Sequence, residues 1–113
     1  MKAALPSTPK ELWSVLTDIF PEFVEDVSED EIETQATFHA VMIPFTQYFG
    51  CVAQSSTDRQ LKALAALINA AVAHDTSLEN AMSTAFLEHL RQIRAYTTLA
   101  PYLSADAKRR THA

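Results

Sequence analysis

Between Glu11 and Asp58 the chain has no lysine or arginine, although these 48 residues carry ten carboxylates. There is one glycine and one cysteine in 113 residues. Each scarcity excludes something. A single glycine leaves few positions able to take positive φ, which hairpin turns demand, while the Ala, Leu, Glu and Gln runs suit helices, so the composition reads as all-α. A lone Cys51 rules out an intrachain disulfide and a cysteine-based zinc site, and an intracellular, reducing environment is its simplest reading. Leu5 is followed at once by Pro6-Ser7-Thr8-Pro9, so no apolar stretch of signal-peptide length follows the start, and no run approaches the roughly 18 apolar residues of a membrane span. The expectation is a soluble, cytoplasmic, single helical domain over residues 1–113.

What is present is sorted charge. Residues 1–10 carry +2, residues 11–58 carry −10 and residues 59–113 carry +3, giving the net of −5. A field of one sign speeds encounter with a basic protein and repels nucleic acid and anionic lipid. Seven of the acids crowd between Glu22 and Glu33.

Capping signals divide the chain. Thr8, Pro9 and Glu11 open a first helix running to about Phe20, where Pro21 stops it and an elbow follows to Val27. Ser28 and Glu31 open a second, with Ile32, Gln35/Ala36, Phe38/His39, Met42, Phe45 and Phe49 at helical spacing, kinked at Pro44 and ended by Gly50 in a left-handed conformation. Thr57 and Gln60 open a third, burying Leu61, Leu64, Leu67, Ile68, Ala71 and Val72. The joint His74-Asp75-Thr76-Ser77 leads through a Thr76/Glu79 capping box to a fourth, reaching Ile93 and lying antiparallel to the third. A short fifth helix fits around Leu99 to Lys108, and residues 108–113 read as a frayed basic tail. The fold expected is a compact bundle of four main helices with a possible fifth.

No residue set announces catalysis. His39, His74, His89 and His112 include no pair at zinc-binding helical spacing, and Glu88-His89 and His74-Asp75 point about 100° apart on a helix. There is no GxSxG and no phosphate loop. Cys51 has no Lys, Arg or His near it in sequence, so it reads as a small apolar filler and not as a reactive thiol. The sequence thus offers no catalytic residue, no cofactor motif and no metal set, and it reads as a non-enzyme.

The acidic block is the candidate site. Capping would use two or three of Glu22, Glu25, Asp26, Glu29, Asp30, Glu31 and Glu33, and no base nearby in sequence relieves their repulsion. Phe20, Phe23, Val24 and Val27 are interleaved with the acids, so Phe20 and Phe23 read as aromatic anchors inside a charged rim.

The stretch Asp75-x-x-Leu78-x-Asn80-Ala81-x-x-x-x-Phe86-Leu87-Glu88-x-Leu90, with Phe20-Pro21-Glu22-Phe23 and Leu99-x-Pro101-Tyr102-Leu103, resembles an uncharacterised family of small all-helical bacterial proteins, the immunity or accessory proteins of polymorphic-toxin systems. The resemblance spans Leu12 to Leu103 and rests on helix-packing residues. It implies a cytoplasmic protein that binds a cognate toxin encoded by a neighbouring gene, and it carries over no catalytic residue. The charge argument agrees with it, because an acidic protein can occlude a basic active site. An adaptor or chaperone for a secreted effector, and a small hydrolase or metal-dependent enzyme using the acidic elbow, are the alternatives.

Overall fold

Thr8 opens the first helix as its sequence requires: its Oγ1 accepts the Glu11 amide at 3.1 Å, and Pro9 fills the first turn, where a missing amide has no intrahelical partner to lose. A computed structural model describes residues 5–34, 37–74 and 76–111 of the chain, and the side chains of Glu33 and Thr34 lie outside the description. Helix α1 spans Pro9–Ile19. The Glu11 carboxylate reaches back to Ser7, accepting from its amide at 2.8 Å and its hydroxyl at 3.0 Å. Those donors hold the Glu11 pKa below the usual carboxylate value.

Pro21 ends α1, and Pro21–Glu25 tighten into a 3-10 turn. Two long-range bonds fix this elbow. Trp13 Nε1 donates to Val27 O at 2.8 Å, and Gln60 Nε2 donates to Ile19 O at 3.0 Å. The Ser28/Glu31 capping box then forms as its sequence spacing requires, and α2 spans Glu29–Thr34.

The expected long second helix is instead two. Thr37 caps a new helix, α3 at Phe38–Val52, by accepting the Ala40 amide at 3.1 Å. A second N-cap costs the chain one helix start and lets it change direction. Gln35 and Ala36, expected on the apolar face, lie outside the described residues. Pro44 sits inside α3, whose buried Val41, Met42, Phe45 and Phe49 keep helical spacing. Gly50 is also inside α3, and its φ is not positive. Its use is close approach, since a Cβ there would stand 3.1 Å from Cβ of Ile93.

Helix α4, Asp58–Val72, is the most regular, with the complete Thr57/Gln60 capping box. Thr76 caps α5, Ser77–Ala81, but the Glu79 carboxylate does not close a box: it accepts from Ser83 Oγ at 3.1 Å and pairs with Arg110. The expected regular fourth helix changes pitch after Ala81, widening to a π turn over Met82–Phe86 and tightening to 3-10 over Leu87–His89. Arg94, at φ 61°, is the left-handed residue that stops this run. Arg94 N donates to Arg91 O at 3.2 Å and Ala95 N to Leu90 O at 2.9 Å, the two bonds of a Schellman motif with its apolar pair, Leu90 and Ala95, fully buried. The expected left-handed end at Gly50 does not occur, since α3 ends at Ala53 in a right-handed conformation; the left-handed stop falls instead on Arg94, in another run, at a steric cost of about 1–2 kcal/mol that the two bonds and the apolar pair offset.

Where one short helix is expected over Leu99 to Lys108, the C-terminal segment folds as several short turns, and the last described residues, 108–111, expected as a frayed tail, pack against the body. It contains α6 at Tyr96–Leu99, a 3-10 turn at Ala100–Tyr102 and α7 at Ala105–Arg109. Asn69 clamps it to α4, donating to Tyr102 O at 3.1 Å and accepting from Ser104 N at 2.9 Å. Ala107 and Thr111 are fully buried. Arg110 donates to Glu79 and, at 3.0 Å, to Ser83 Oγ. The tail lacks large apolar residues, so its anchoring comes from polar bonds that hydropathy does not register. His112 lies outside the described residues.

All seven α-helices among the described residues close around one core, in place of four long helices and a short fifth. Helix α3 touches α1, α5 and the π turn, while α4 touches α1, α5, α7 and the π turn. Principal extents of 33 × 31 × 30 Å describe a near-isotropic body. No strand occurs among the described residues.

Phe86 is fully buried with its ring 5.8 Å from Phe45 and 5.6 Å from Phe49. Phe86→Ala should therefore lower unfolding free energy by about 3–5 kcal/mol in urea denaturation, as an aromatic cavity does. Arg110→Ala should cost about 1.5–3 kcal/mol, the range for hydrogen bonds to a charged group. Arg109, 73% exposed in its pair with Asp106, should cost at most about 1 kcal/mol in the same assay. Equal, negligible effects at 109 and 110 would return residues 108–111 to a frayed tail.

Candidate functional site

The elbow puts its acids on the surface because its apolar residues go inward. Phe20 and Phe23 are three apart, the spacing that shares a face in a 3-10 turn, and with Val27 they turn to the core. Phe23 is fully buried and Phe20 is 2% exposed. Both were expected as partner anchors, and the structure corrects this: their rings pack 5.1 and 5.7 Å from Phe45, and removing them from the core would cost the apolar burial that holds the elbow. The elbow's exposed large apolar side chain is Val24, at 43%.

Glu22, Glu25, Asp26, Glu29, Asp30 and Glu31 are exposed. Of the acids expected at the site, the side chain of Glu33 lies outside the described residues. The exposed acids divide by what they touch. Glu31 closes the Ser28 capping box, and Glu29 pairs with Lys10 Nζ at 3.0 Å. Lys10 thus relieves part of a repulsion that the linear sequence leaves unrelieved, because the fold brings the start of α1 beside the start of α2.

Glu22, Glu25 and Asp26 act on α3 through Tyr48. The Tyr48 ring lies 5.4 Å from Phe23 and 6.0 Å from Phe20. Its pKa is raised above the ordinary tyrosine value, first by burial and then by the negative charge of Glu22, Asp26 and Glu25. The elbow's negative charge is therefore felt at Tyr48, on the flank of α3 that faces the elbow.

The outer side of α3 is the feature the sequence reading missed. Residues 34–57 contain no Asp, Glu, Lys or Arg, and α3 lies wholly within them. Its outward positions are Ile43, Gln47 and Cys51, one turn apart and all exposed, with Ile43 at 53%. A signal was present: 24 uncharged residues directly after an acidic block. Taken as helix periodicity alone, the same stretch shows only its core positions.

Two recesses flank this face. One, of about 320 Å³, lies between α3 and the π turn and is walled by His39, Ile43, Thr46, Thr84, Ala85 and Ile93, among others. The other, of about 590 Å³, is lined by Asp26, Pro44, Gln47, Tyr48, Cys51 and Val52, and Gln47 borders both. The π turn shapes the first recess. Its widened backbone frees Ala85 O, which accepts from the buried Thr46 hydroxyl at 2.6 Å. Thr84 Oγ1 donates to Asn80 O at 2.8 Å, so its contact with His39 Nε2 at 2.8 Å has the imidazole as donor. His89 Nδ1 meets Gln92 Oε1 at 2.8 Å on the same rim. Among the described residues no three of His, Cys, Asp and Glu converge as metal ligands, and no helix is long and apolar enough to cross a membrane.

The fold and this surface define a small all-helical protein with an acidic rim beside an uncharged helix face. A family model described as a domain of unknown function, DUF7674, matches residues 13–110, and the chain belongs to that family. No curated protein and no solved structure matches it.

The elbow's field gives a spectroscopic prediction. In a pH titration followed by NMR of the tyrosine ring carbons, Tyr48 should ionise above the ordinary tyrosine range, because burial and then neighbouring negative charge disfavour phenolate. Glu22→Gln, Glu25→Gln and Asp26→Asn together should lower that pKa without returning it to the ordinary value, since burial is the larger cause. Its linked stability is present below the ordinary tyrosine pKa and is lost as pH rises through the folded value.

Proposed function

We propose that this protein is an acidic protein-binding module, and specifically a bacterial immunity protein that docks on a cognate toxin and occludes its basic active site. The observation that supports this reading most is the rigid outward display of Glu22, Glu25 and Asp26. They sit on or next to a 3-10 turn fixed by buried Phe23 and by the Trp13 to Val27 bond, so little backbone ordering remains to be lost on binding. Charges at a rim raise the association rate and set specificity more than they add affinity. Inhibition would be steric and stoichiometric, with no chemistry asked of this chain, no cofactor or metal, and the cytoplasm as its place of action. Nucleic acid and anionic membranes are poor partners for the same electrostatic reason.

A second reading, an adaptor or chaperone for a secreted effector, draws on the uncharged face of α3 and the exposed Ile43. Salt separates the two, because apolar engagement is insensitive to ionic strength where charge steering is not.

The test pairs this protein with the toxin-like domain encoded by the adjacent gene. Reversal of Glu22, Glu25 and Asp26 to lysine spares the Lys10 to Glu29 pair and the Ser28 capping box, so the far-UV spectrum should not change. The wild-type on-rate should fall steeply as salt rises, and the reversed protein should bind at least about tenfold more slowly and lose that dependence. Lys108→Ala should leave both unchanged. Wild-type rescue and wild-type kinetics from the reversed protein would reduce the acidic block to a solvated face.

A further inference from the structure

The exposed side of α3 is continuous with the acidic elbow, and the two differ in chemistry. Asp26 lines the recess that also holds Pro44, Tyr48, Cys51 and Val52. Across Gln47 the recess beside the π turn has Ile43, Ala85 and Ile93 in its walls. An apolar centre bordered by charge is the anatomy of a protein interface, and among the residues lining the two recesses the charged side chain is Asp26, with His39 and His89 on the wall away from the elbow.

We propose that the outer face of α3, centred on Ile43 and Gln47, is the apolar half of the binding surface and receives a leucine-like or aromatic side chain of a basic protein, whose lysines or arginines face Asp26 and the elbow. This deepens the binding reading above and rests on it. The occupant follows from charge complementarity. An acidic partner would meet Glu22, Glu25 and Asp26 unpaired. A second copy of this chain would bring two acidic rims of a net −5 protein into one interface. A basic segment with an apolar anchor satisfies both halves at once.

Gln47, where the recesses meet, decides orientation. Its amide can donate and accept, so it tolerates a backbone or side-chain amide of the partner, whereas a cation there would oppose a basic occupant.

The experiment uses the full chain and two synthetic amphipathic peptides with identical leucine positions, one completed with lysines and the other with glutamates. In ¹H–¹⁵N spectra the lysine peptide should shift the amides of Ile43, Gln47 and Cys51 together with those of Glu22–Asp26, and the glutamate peptide should not bind. Ile43→Ser, at an exposed position, should keep the fold and weaken the lysine peptide by about tenfold or more, as loss of one buried aliphatic contact implies, while its salt dependence persists. Gln47→Lys should abolish binding with the circular dichroism unchanged.

The elbow reversal should also abolish binding, and the pattern distinguishes the two ideas. If it does while Ile43→Ser and Gln47→Lys bind as wild type, the α3 proposal falls and the acidic binding reading stands. If Ile43→Ser abolishes binding while the elbow reversal has no effect, the acidic reading falls, and with it the basic occupant proposed here. Shifts confined to α4, or failure of the lysine peptide to bind, overturn the proposal. So does a dimer in analytical ultracentrifugation that dissociates on Ile43→Ser, which would assign the face to a second copy.

Discussion

The ring of Phe45 lies within 6.0 Å, centroid to centroid, of those of Phe20, Phe23, Tyr48, Phe49 and Phe86. Each such pair contributes about 0.5–1.5 kcal/mol beyond its buried area, but position matters more than the sum. Phe20 closes α1, Phe23 anchors the elbow, and Phe86 ends the π turn, so three separate stretches of chain meet at one side chain of α3. The orientation of the acids follows from it. With Phe23 held at 5.1 Å on Phe45, Glu22, Val24 and Glu25 have no direction left but outward.

The widened turn over Met82–Phe86 can be understood from the same contact. The run has to place Phe86 on α3 while Leu78, Ala81 and Met82 stay buried. A π turn rotates the following residues relative to an unbroken α-helix, which re-aims a side chain at the expense of one regular hydrogen bond. Thr46 supplies the compensation by donating to Ala85 O, which leaves a buried carbonyl satisfied. A side chain without a hydroxyl at 46 would leave that oxygen without this partner. Packing against α3 and polar satisfaction by α3 are thus coupled, and the recess beside Ile43 is the surface trace of that coupling.

Much of this was legible in the sequence wherever the governing interaction was local. The caps at Thr8, Ser28, Thr57 and Thr76 lie within three residues of the amides they bind, so spacing alone located α1, α2, α4 and α5. The all-α class followed from one glycine and helical periodicity. What escaped was non-local. Whether Phe20 and Phe23 face solvent or core is decided by Phe45, more than twenty residues downstream, and an interleaved acid and aromatic pattern fits either answer. The C-terminal segment escaped because its ties are polar and distant, Asn69 to Ser104 and Glu79 to Arg110. Left-handed geometry at an arginine also defies a rule that looks to glycine first.

The same distinction explains why the site was only half visible. A charge run declares itself in sequence, but an interface needs something for the charge to surround. The uncharged stretch after the acids reads as core when taken as a helix, since Val41, Met42, Phe45 and Phe49 are indeed core. Its outer positions become informative only once α1, α5 and the π turn are seen to cover one side of α3 and leave Ile43, Gln47 and Cys51 in solvent. A helix that needed only to be solvated on that side would be expected to carry lysine or glutamate there, which solvate well and favour helix. Their absence from all 24 residues between Glu33 and Asp58 is what a surface kept free for an apolar contact would show. If that face is the interface proposed above, the crowding of acids immediately before it would keep two copies of the face apart while drawing a basic one toward it.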